Sequence, residues 1–201
     1  MTTHRTLPVL IALALLAAGC AVVAPAPHAN LYRLTPLSME QPGTAQKFRI
    51  LVERPQSSAS LDTQRVALSR GAIDFDYFAD VEWVDSAPSM VHRLLIESLD
   101  DGEAVIAADA AGSGMALDRT LKTDLRAFQA EYEGTGGAPT AHVRINAKLL
   151  APKTLEILTS KTFDARVPAE ANSQKAIIEA FDAALKRVIT DIRAFATAET
   201  P

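Results

Sequence analysis

The segment that most restricts the fold lies near the C-terminus and reads NSQKAIIEAFDAALKRVITDIRAFA. Its large apolar residues recur with the period of an α-helix and share one face: Ile177, Ile178, Phe181, Leu185, Val188, Ile189, Ile192 and Phe195. The opposite face is polar and carries Lys175, Glu179, Asp182, Lys186, Arg187 and Arg193. Asn172 or Ser173 can cap its start. We therefore expect a long amphipathic helix that packs on a sheet, with a partner-binding helix as the alternative.

Two segments just before this helix alternate apolar and polar residues, as half-buried strands do. In residues 140–150 the apolar positions are Val143, Ile145, Ala147 and Leu149. In residues 154–168 the alternating positions are Ile157, Thr159, Phe163, Ala165 and Val167. Pro152 lies between the two segments, so the pattern predicts a β-hairpin.

The first half of the chain combines short strand patterns with one further helix. Strands are predicted over residues 31–36, 47–55 and 104–108, a polar loop over 56–64, and a hairpin-like pair over 65–68 and 72–78 around Gly71. A helix is predicted over 85–102, capped by Asp85 or Ser86, with Pro88 in its first turn and Gly102 at its end. The order of elements predicts an α/β fold, with a mixed, largely antiparallel sheet packed by two principal amphipathic helices.

Residues 119–132 fit two secondary structures. Leu121, Leu125, Phe128 and Tyr132 form a helical stripe, and the residue pattern alone favours a helix. Leu121, Thr123, Leu125 and Ala127 also form one face of a strand. If the segment is a strand, Thr123 and Leu125 should share a face, with Lys122 and Asp124 on the other.

The N-terminus has the three parts of a bacterial signal peptide. A short positive start precedes an apolar run from Leu7 to Ala18, and this run is too short for the roughly 20 residues that cross a bilayer as a helix. It ends in Ala17-Ala18-Gly19-Cys20, which resembles a lipobox even though the usual leucine position holds Ala17. Cys20 is the only cysteine, so we expect it to carry the lipid that anchors the mature chain. Residues 21–30, rich in alanine and proline, then form an extended tether.

Composition and motifs argue against several functions. The net charge is −4 without a basic block, which argues against nucleic-acid binding. The histidines, His4, His28, His92 and His142, show no metal-ligand spacing, and the glycine-rich stretches 112–114 and 134–137 fit turns. Asp74 and Asp76 alternate with Ile73, Phe75 and Tyr77, which is typical of a solvated strand face rather than a catalytic carboxylate pair. We therefore expect no enzyme activity, no metal and no cofactor, and we expect Trp83 to anchor the turn from strand to helix.

Several stretches in order resemble the ABC-type transport auxiliary lipoproteins, the PqiC-like group. They are AAGC, LYRLTP, FRILVERP, IDFDYFADVEWVDSAPSMVHRLLIESL, LKTDLRAFQAEY, AHVRINAKLL, KTFDARVP and AFDAALKRVITDI. The resemblance implies a non-catalytic accessory lipoprotein of a transporter with MCE-domain proteins, which moves lipids or other hydrophobic compounds. It also implies a strand over residues 119–132, and we adopt the strand. Cys20 is the only site residue that the resemblance transfers.

The resulting expectation is a lipid-anchored protein that faces the periplasm, at the outer membrane because Ala21 rather than Asp follows Cys20. The boundaries are residues 1–19 for the signal peptide, 20–30 for the lipidated cysteine and tether, 31–197 for the domain and 198–201 for the tail. The expected partners are an MCE-domain protein with its ABC permease and ATPase, and self-association is left open. Phe75, Tyr77 and Phe78 are the candidate contacts, because aromatic residues are favoured at interfaces. The alternatives are a solute-binding lipoprotein and a structural envelope lipoprotein.

Overall fold

The computed structural model describes residues 29–37, 48–100, 105–109, 116–134 and 136–198. In these ranges it contains nine strands of one open sheet and two helices. The strands are β1 (Asn30–Tyr32), β2 (Phe48–Val52), β3 (Gln56–Ser57), β4 (Arg65–Arg70), β5 (Asp74–Trp83), β6 (Val105–Ala108), β7 (Arg119–Tyr132), β8 (Thr140–Leu150) and β9 (Ile157–Pro168). The helices are α1 (Ala87–Leu99) and α2 (Gln174–Thr197). The predicted α/β fold is confirmed.

Strand β7 is the centre of the sheet. Along one edge it pairs in parallel with β2, β3 and β4 in turn, and along the other it pairs with the antiparallel strand β8. The sheet extends beyond β8 to the antiparallel strand β9, beyond β4 to β5 and β1, and beyond β2 to β6. The antiparallel pairings are long, as expected, whereas the short parallel pairings that join β2, β3 and β4 to β7 were not foreseen.

The strand interpretation of residues 119–132 is confirmed, and the structure explains the misleading helical spacing. Leu125 pairs with Ile145 but Ala127 pairs with Arg144, so Arg126 is an extra residue that forms a β-bulge. The bulge moves the inward face from Leu125 to Phe128, a step of three residues instead of two. Strand steps of two residues, combined with this one step of three, place Leu121, Leu125, Phe128 and Tyr132 on one face at intervals of four, three and four residues. These intervals are also those of one face of an α-helix.

The two helices pack into the same core as one face of the sheet. Helix α2 lies against β8 and β9, and helix α1 lies against β6 and β2. All eight apolar residues predicted for the buried face of α2 are buried or packed against the core. The apolar face of α1 is also buried, and it consists of Met90, Val91, Leu94, Leu95 and Leu99. The prediction that the last helix packs on a sheet is therefore confirmed.

The ends of the helices differ in detail from the sequence expectation. Ser86 is the N-cap residue of α1 without a capping hydrogen bond from its side chain, and Pro88 lies in the first turn. Helix α1 ends at Leu99 with Asp100 as its C-cap, so Gly102, which lies outside the described residues, does not end it. Ser173 caps α2 and accepts a hydrogen bond from the backbone N–H of Ala176.

Arg119 fixes the other end of α2. Its guanidinium Nη1 lies 2.7 Å from the carbonyl oxygens of both Ala196 and Ala198. These carbonyl oxygens lie at the C-terminal end of the helix, where backbone carbonyls have no N–H donor within the helix. The first residue of the central strand therefore holds the last turn of the long helix.

An aromatic cluster occupies the middle of the core. The Trp83 ring centroid lies 5.5 Å from that of Phe128 and 5.4 Å from that of Phe181, and the three side chains are almost fully buried. Trp83 thus anchors β5 to the central strand and to α2, which is a larger role than the strand-to-helix turn expected from the sequence. The sheet has one face under the helices and an opposite face, called here the outer face.

Candidate protein-binding surface

The hairpin of β4 and β5 extends to a tip that lies at the end of β7. Arg70 pairs with both Asp74 and Tyr132, the last residue of β7, and Gly71 begins the turn with a φ of +80°. This conformation suits glycine because other residues rarely adopt it. Ile73 in the turn is 99% exposed, and Phe75 is 41% exposed. Both faces of the strand meet solvent at this point, so an apolar tip projects from the sheet.

Tyr77 is held in place by contacts on three sides. Its ring lies 5.5 Å from that of Phe75 at a right angle, and the guanidinium carbon of Arg65 lies 3.8 Å above its centroid. Its hydroxyl donates a 2.9 Å hydrogen bond to the carbonyl oxygen of Ser60. The ring is therefore oriented before any partner arrives, which lowers the conformational entropy lost on binding. We call Arg65, Ile73, Phe75 and Tyr77 the aromatic tip.

The three aromatic residues selected from the sequence do not form one surface. Tyr77 pairs with Ala67 and Phe75 with Ser69, which places both rings on the outer face. Phe78 is the next residue after Tyr77, and its ring lies 6.5 Å from that of Tyr132, near the start of α2. The alternation of a strand already separates Phe78 from the other two, whereas no local signal in the sequence indicates that Arg65 stacks on Tyr77.

Tyr132 contributes to the packing behind the tip. Its hydroxyl donates a 2.9 Å hydrogen bond to Oδ1 of Asn172, just before α2. Burial raises the pKa of Tyr132, and the positive charge of Arg70 opposes part of this shift. The ring is therefore neutral at physiological pH and acts as a packing residue that joins the hairpin to the helix.

The outer face of β7, β8 and β9 carries a polar cluster around His142, which is buried. Nδ1 of His142 lies 2.7 Å from Oε1 of Glu131, and Nε2 lies 3.0 Å from Oδ2 of Asp164. Arg166 pairs with Glu131 and Arg144 with Asp164. Both ring nitrogens are engaged, so His142 has no free nitrogen to serve as a general base or a metal ligand. The cluster links three strands and was not foreseen from the sequence.

A groove of about 570 Å³ separates the first described segment from α1. Leu31 and Leu34 line one side, and Met90 and Leu94 line the other. Charged side chains at the rim include Arg33, Asp85, Arg93 and Glu97, of which Arg93 and Asp85 form an ion pair of 3.5 Å. The surface of the groove is thus apolar at its base and mixed in charge at its rim.

Some of the sites expected from the sequence lie outside the described residues. Cys20, the tether and the stretch 112–114 lie outside the described residues, so lipidation of Cys20 stays a prediction. Gly134, Gly136 and Gly137 occupy the turn between β7 and β8 with positive φ angles, as the sequence suggested. Over the described ranges, no group of three or more His, Cys, Asp or Glu residues is placed to hold a metal ion. Neither helix found there has the length and apolar character needed to cross a membrane.

The chain that folds into this open mixed sheet, with two helices on one face and a projecting hairpin, matches one protein family. The family of ABC-type transport auxiliary lipoprotein components matches residues 32–193. The match covers most of the chain, so this chain belongs to that family. The resemblance to this family inferred from the sequence is therefore confirmed.

Individual relatives support the fold. An uncharacterized protein of Bradyrhizobium diazoefficiens, bll6063, is 28% identical over 173 residues, covering 84% of this chain and 45% of that protein. This chain therefore spans about half the length of that relative. The crystal structure of XCC0632 from Xanthomonas campestris has a TM-score of 0.76 at 23% identity, over 84% of this chain and 95% of that chain. The structure of the hypothetical protein CT253 from Chlamydia trachomatis has a TM-score of 0.53 at 6% identity, over 75% of this chain and 96% of that chain.

Proposed function

We propose that this protein is a non-catalytic accessory lipoprotein of an MCE-type ABC transporter that moves lipids or other hydrophobic compounds across the envelope. In this role the chain is anchored through Cys20 to the periplasmic face of the outer membrane. Its folded domain binds the MCE-domain protein, which works with an ABC permease and an ATPase. The observation that carries the proposal is the family match over residues 32–193, together with an exposed, pre-oriented aromatic tip.

The aromatic tip has the composition of a protein interface. Interfaces are enriched in aromatic residues and arginine, and the residues that dominate binding energy are often tyrosine, tryptophan or arginine. Tyr77 stacked under Arg65 supplies both types in one contact. Ile73, which is 99% exposed, and Phe75, which is 41% exposed, provide apolar area for a partner. Phe78, which packs toward Tyr132, supports the hairpin from behind rather than meeting the partner directly.

A binding experiment with purified components tests this function. The bait is the chain from Ala21 onward, which retains every residue of the described core. The probe is the MCE-domain protein encoded with its permease and ATPase. We expect Tyr77→Ala to weaken capture about tenfold or more, because loss of an interface anchor commonly has that effect. Ile73→Ser should also weaken capture, and its side chain is too exposed to affect folding.

Ile106→Ser is the matched control, because it removes an exposed apolar side chain from β6, away from the tip. It should bind like the wild type. If the wild-type domain captures no MCE-domain protein with all transporter components present, the accessory function is wrong. If Ile73→Ser and a folded Tyr77→Ala both bind normally, the function stands and the contact lies elsewhere.

A further inference from the structure

The hairpin of β8 and β9 ends in a second apolar tip, at the other end of the central strand. Thr120, near the start of β7, pairs with Leu150, and the turn follows directly. Leu155 is 63% exposed, Ile157 is 57% exposed and Leu158 is 41% exposed. Large apolar side chains are thus concentrated within four successive residues. We call Leu155, Ile157 and Leu158 the aliphatic tip.

The backbone of this turn is ordered but strained at Leu155. The N–H of Ala151 donates to the carbonyl oxygen of Glu156, and the N–H of Leu155 donates to that of Ala151, both at 2.9 Å. Leu155 has a φ of +58°, and within the described ranges no other residue except glycine has a positive φ. A leucine is disfavoured in this left-handed conformation, which asparagine and glycine adopt more readily. The Leu155 side chain is mostly exposed and does not contribute to the core. A function at the surface would therefore explain why a leucine occupies this strained position.

The charge around the aliphatic tip is opposite in sign to that of the whole chain. Residues 148–161 contain three lysines, Lys148, Lys153 and Lys161, and one carboxylate, Glu156, a local net charge of +2. The whole chain has a net charge of −4. A shallow cavity of about 370 Å³ beside the tip is lined by Lys148, Leu150, Leu155 and Ile157, and also by Asp124 and by Lys122, which forms an ion pair of 3.4 Å with Glu53. Lys148 therefore borders the exposed aliphatic side chains on the outer face, whereas Lys161 lies on the other face, with its ammonium 5.2 Å from the Phe163 ring.

The composition of this tip fits a lipid surface better than a protein surface. Lysine is depleted at protein interfaces, and the aliphatic tip has neither aromatic residues nor arginine. Aliphatic side chains beside lysines are typical of segments that rest at an anionic bilayer, where the apolar groups enter the interface and the lysines meet headgroups. The aromatic tip at the opposite end of β7 has the contrasting composition.

The chain that precedes the domain is long enough to allow this contact. Through the pairings of β1 with β5, β5 with β4 and β4 with β7, Asn30 lies near the level of Ala127. From that level to Thr120 the strand extends about 23 Å. Nine residues lie between Cys20 and Asn30, so ten Cα-to-Cα steps join them, and ten extended steps span up to about 35 Å. A membrane that holds Cys20 is therefore within reach of the aliphatic tip.

We propose that the aliphatic tip is a second membrane contact, in which Leu155, Ile157 and Leu158 enter the interface of an anionic phospholipid bilayer and the surrounding lysines bind its headgroups. The occupant is the bilayer surface itself rather than a single extracted lipid. The contact orients the domain, since it directs the aromatic tip away from the membrane. The inference is independent of the transporter partner.

The test is sedimentation of the chain from Ala21 onward, without the lipid, with phospholipid vesicles. One set contains phosphatidylglycerol in phosphatidylcholine and the other contains phosphatidylcholine alone. The wild type should sediment with the anionic vesicles, and less so as salt is raised, because salt screens the lysines. Leu155→Asn should lower vesicle affinity about tenfold, since an aliphatic side chain no longer enters the interface. The same variant should unfold at an equal or higher temperature, because asparagine tolerates the left-handed backbone.

Ile73→Ser is the matched control, because it removes an aliphatic side chain that is even more exposed than Leu155, 99% against 63%, from the opposite tip. It should sediment like the wild type. The proposal is overturned if the wild type shows no preference for anionic vesicles, or if Leu155→Asn together with Ile157→Ser leaves vesicle binding unchanged. It is also overturned if these changes spare vesicle binding but abolish capture of a transporter protein, which would make the tip a protein interface.

Discussion

At the scale of single residues, the most consequential polar side chain is that of Arg119. It lies at the start of the central strand, is largely buried and reaches the final turn of α2. Burial lowers the pKa of its guanidinium, yet arginine stays charged at physiological pH. A positive charge is favourable at the C-terminal end of a helix, where the carbonyl oxygens concentrate negative potential. One side chain therefore joins the sheet to the helix by both geometry and charge.

Arg119→Met should destabilise the fold by about 2–3 kcal/mol, because it removes hydrogen bonds from a charged donor and leaves two carbonyl oxygens without it. Urea unfolding followed by circular dichroism measures the change. Arg119→Lys keeps the charge but not the fork of donors, and should fall between the wild type and Arg119→Met. If all three proteins had the same free energy of unfolding, water would be able to replace the hydrogen bonds of the guanidinium without loss of stability.

At the scale of elements, the bulge at Arg126 determines which residues of β7 face the helices. Before it, Leu121, Thr123 and Leu125 point inward, and after it Phe128 and Ala130 do so. If Arg126 were an ordinary paired residue of the strand instead of a bulge, Gln129 and Glu131 would turn toward α2. Phe128 would then leave the cluster of Trp83 and Phe181.

Insertion of one serine between Arg144 and Ile145 would give Arg126 a partner on β8 and remove the bulge, so it should abolish cooperative folding, since a shift of one residue exchanges the two faces of a strand. Arg126→Ser keeps the residue count and loses only an exposed ion pair with Asp124, so it should stay within about 0.5 kcal/mol of the wild type. Thermal unfolding monitored by circular dichroism distinguishes the two variants. A cooperative transition in the insertion variant near the wild-type temperature would contradict this account of the bulge.

The same bulge shows where sequence reasoning succeeds and where it stops. The helices, the hairpin after Thr140 and the apolar faces follow from local periodicity, and the structure confirms them. A bulge interrupts periodicity, so the spacing in β7 favoured a helix and only the family resemblance indicated a strand. The stacking of Arg65 on Tyr77 and the cluster around His142 join residues on different strands, and no local pattern encodes such pairings.

The candidate surfaces show the same division. Phe75 and Tyr77 were selected from the sequence as aromatic residues, and the structure places them together on a projecting tip. Phe78 was selected for the same reason, but its position in the strand directs it toward Tyr132. In the sequence, Leu155 and Ile157 fit the beginning of a strand. Their exposure at the turn could not be predicted, because it depends on where the partner strand ends.

At the scale of the whole molecule, attachment through Cys20 would bring the domain to a membrane. We expect Cys20→Ser to leave an uncleaved or mislocalised protein, because the thiol is the acceptor of the lipid. Fractionation of cells that express each version, followed by mass spectrometry of the membrane fraction, measures the effect. An unmodified Cys20 in the purified membrane fraction would contradict the expectation.

Strand β7 also sets a height. Its 14 residues run from the level of the aliphatic tip to the level of the aromatic tip, about 43 Å at the rise of an extended strand. With the aliphatic tip resting on a bilayer, the aromatic tip stands at that elevation, so a partner meets it well clear of the headgroups. Two residues added to β7, with two added to β8 to keep the pairing, would raise the meeting point by about 7 Å without turning either face. The strand would then act as a spacer. Its number of residues would set the distance between the membrane surface and the point where the partner binds.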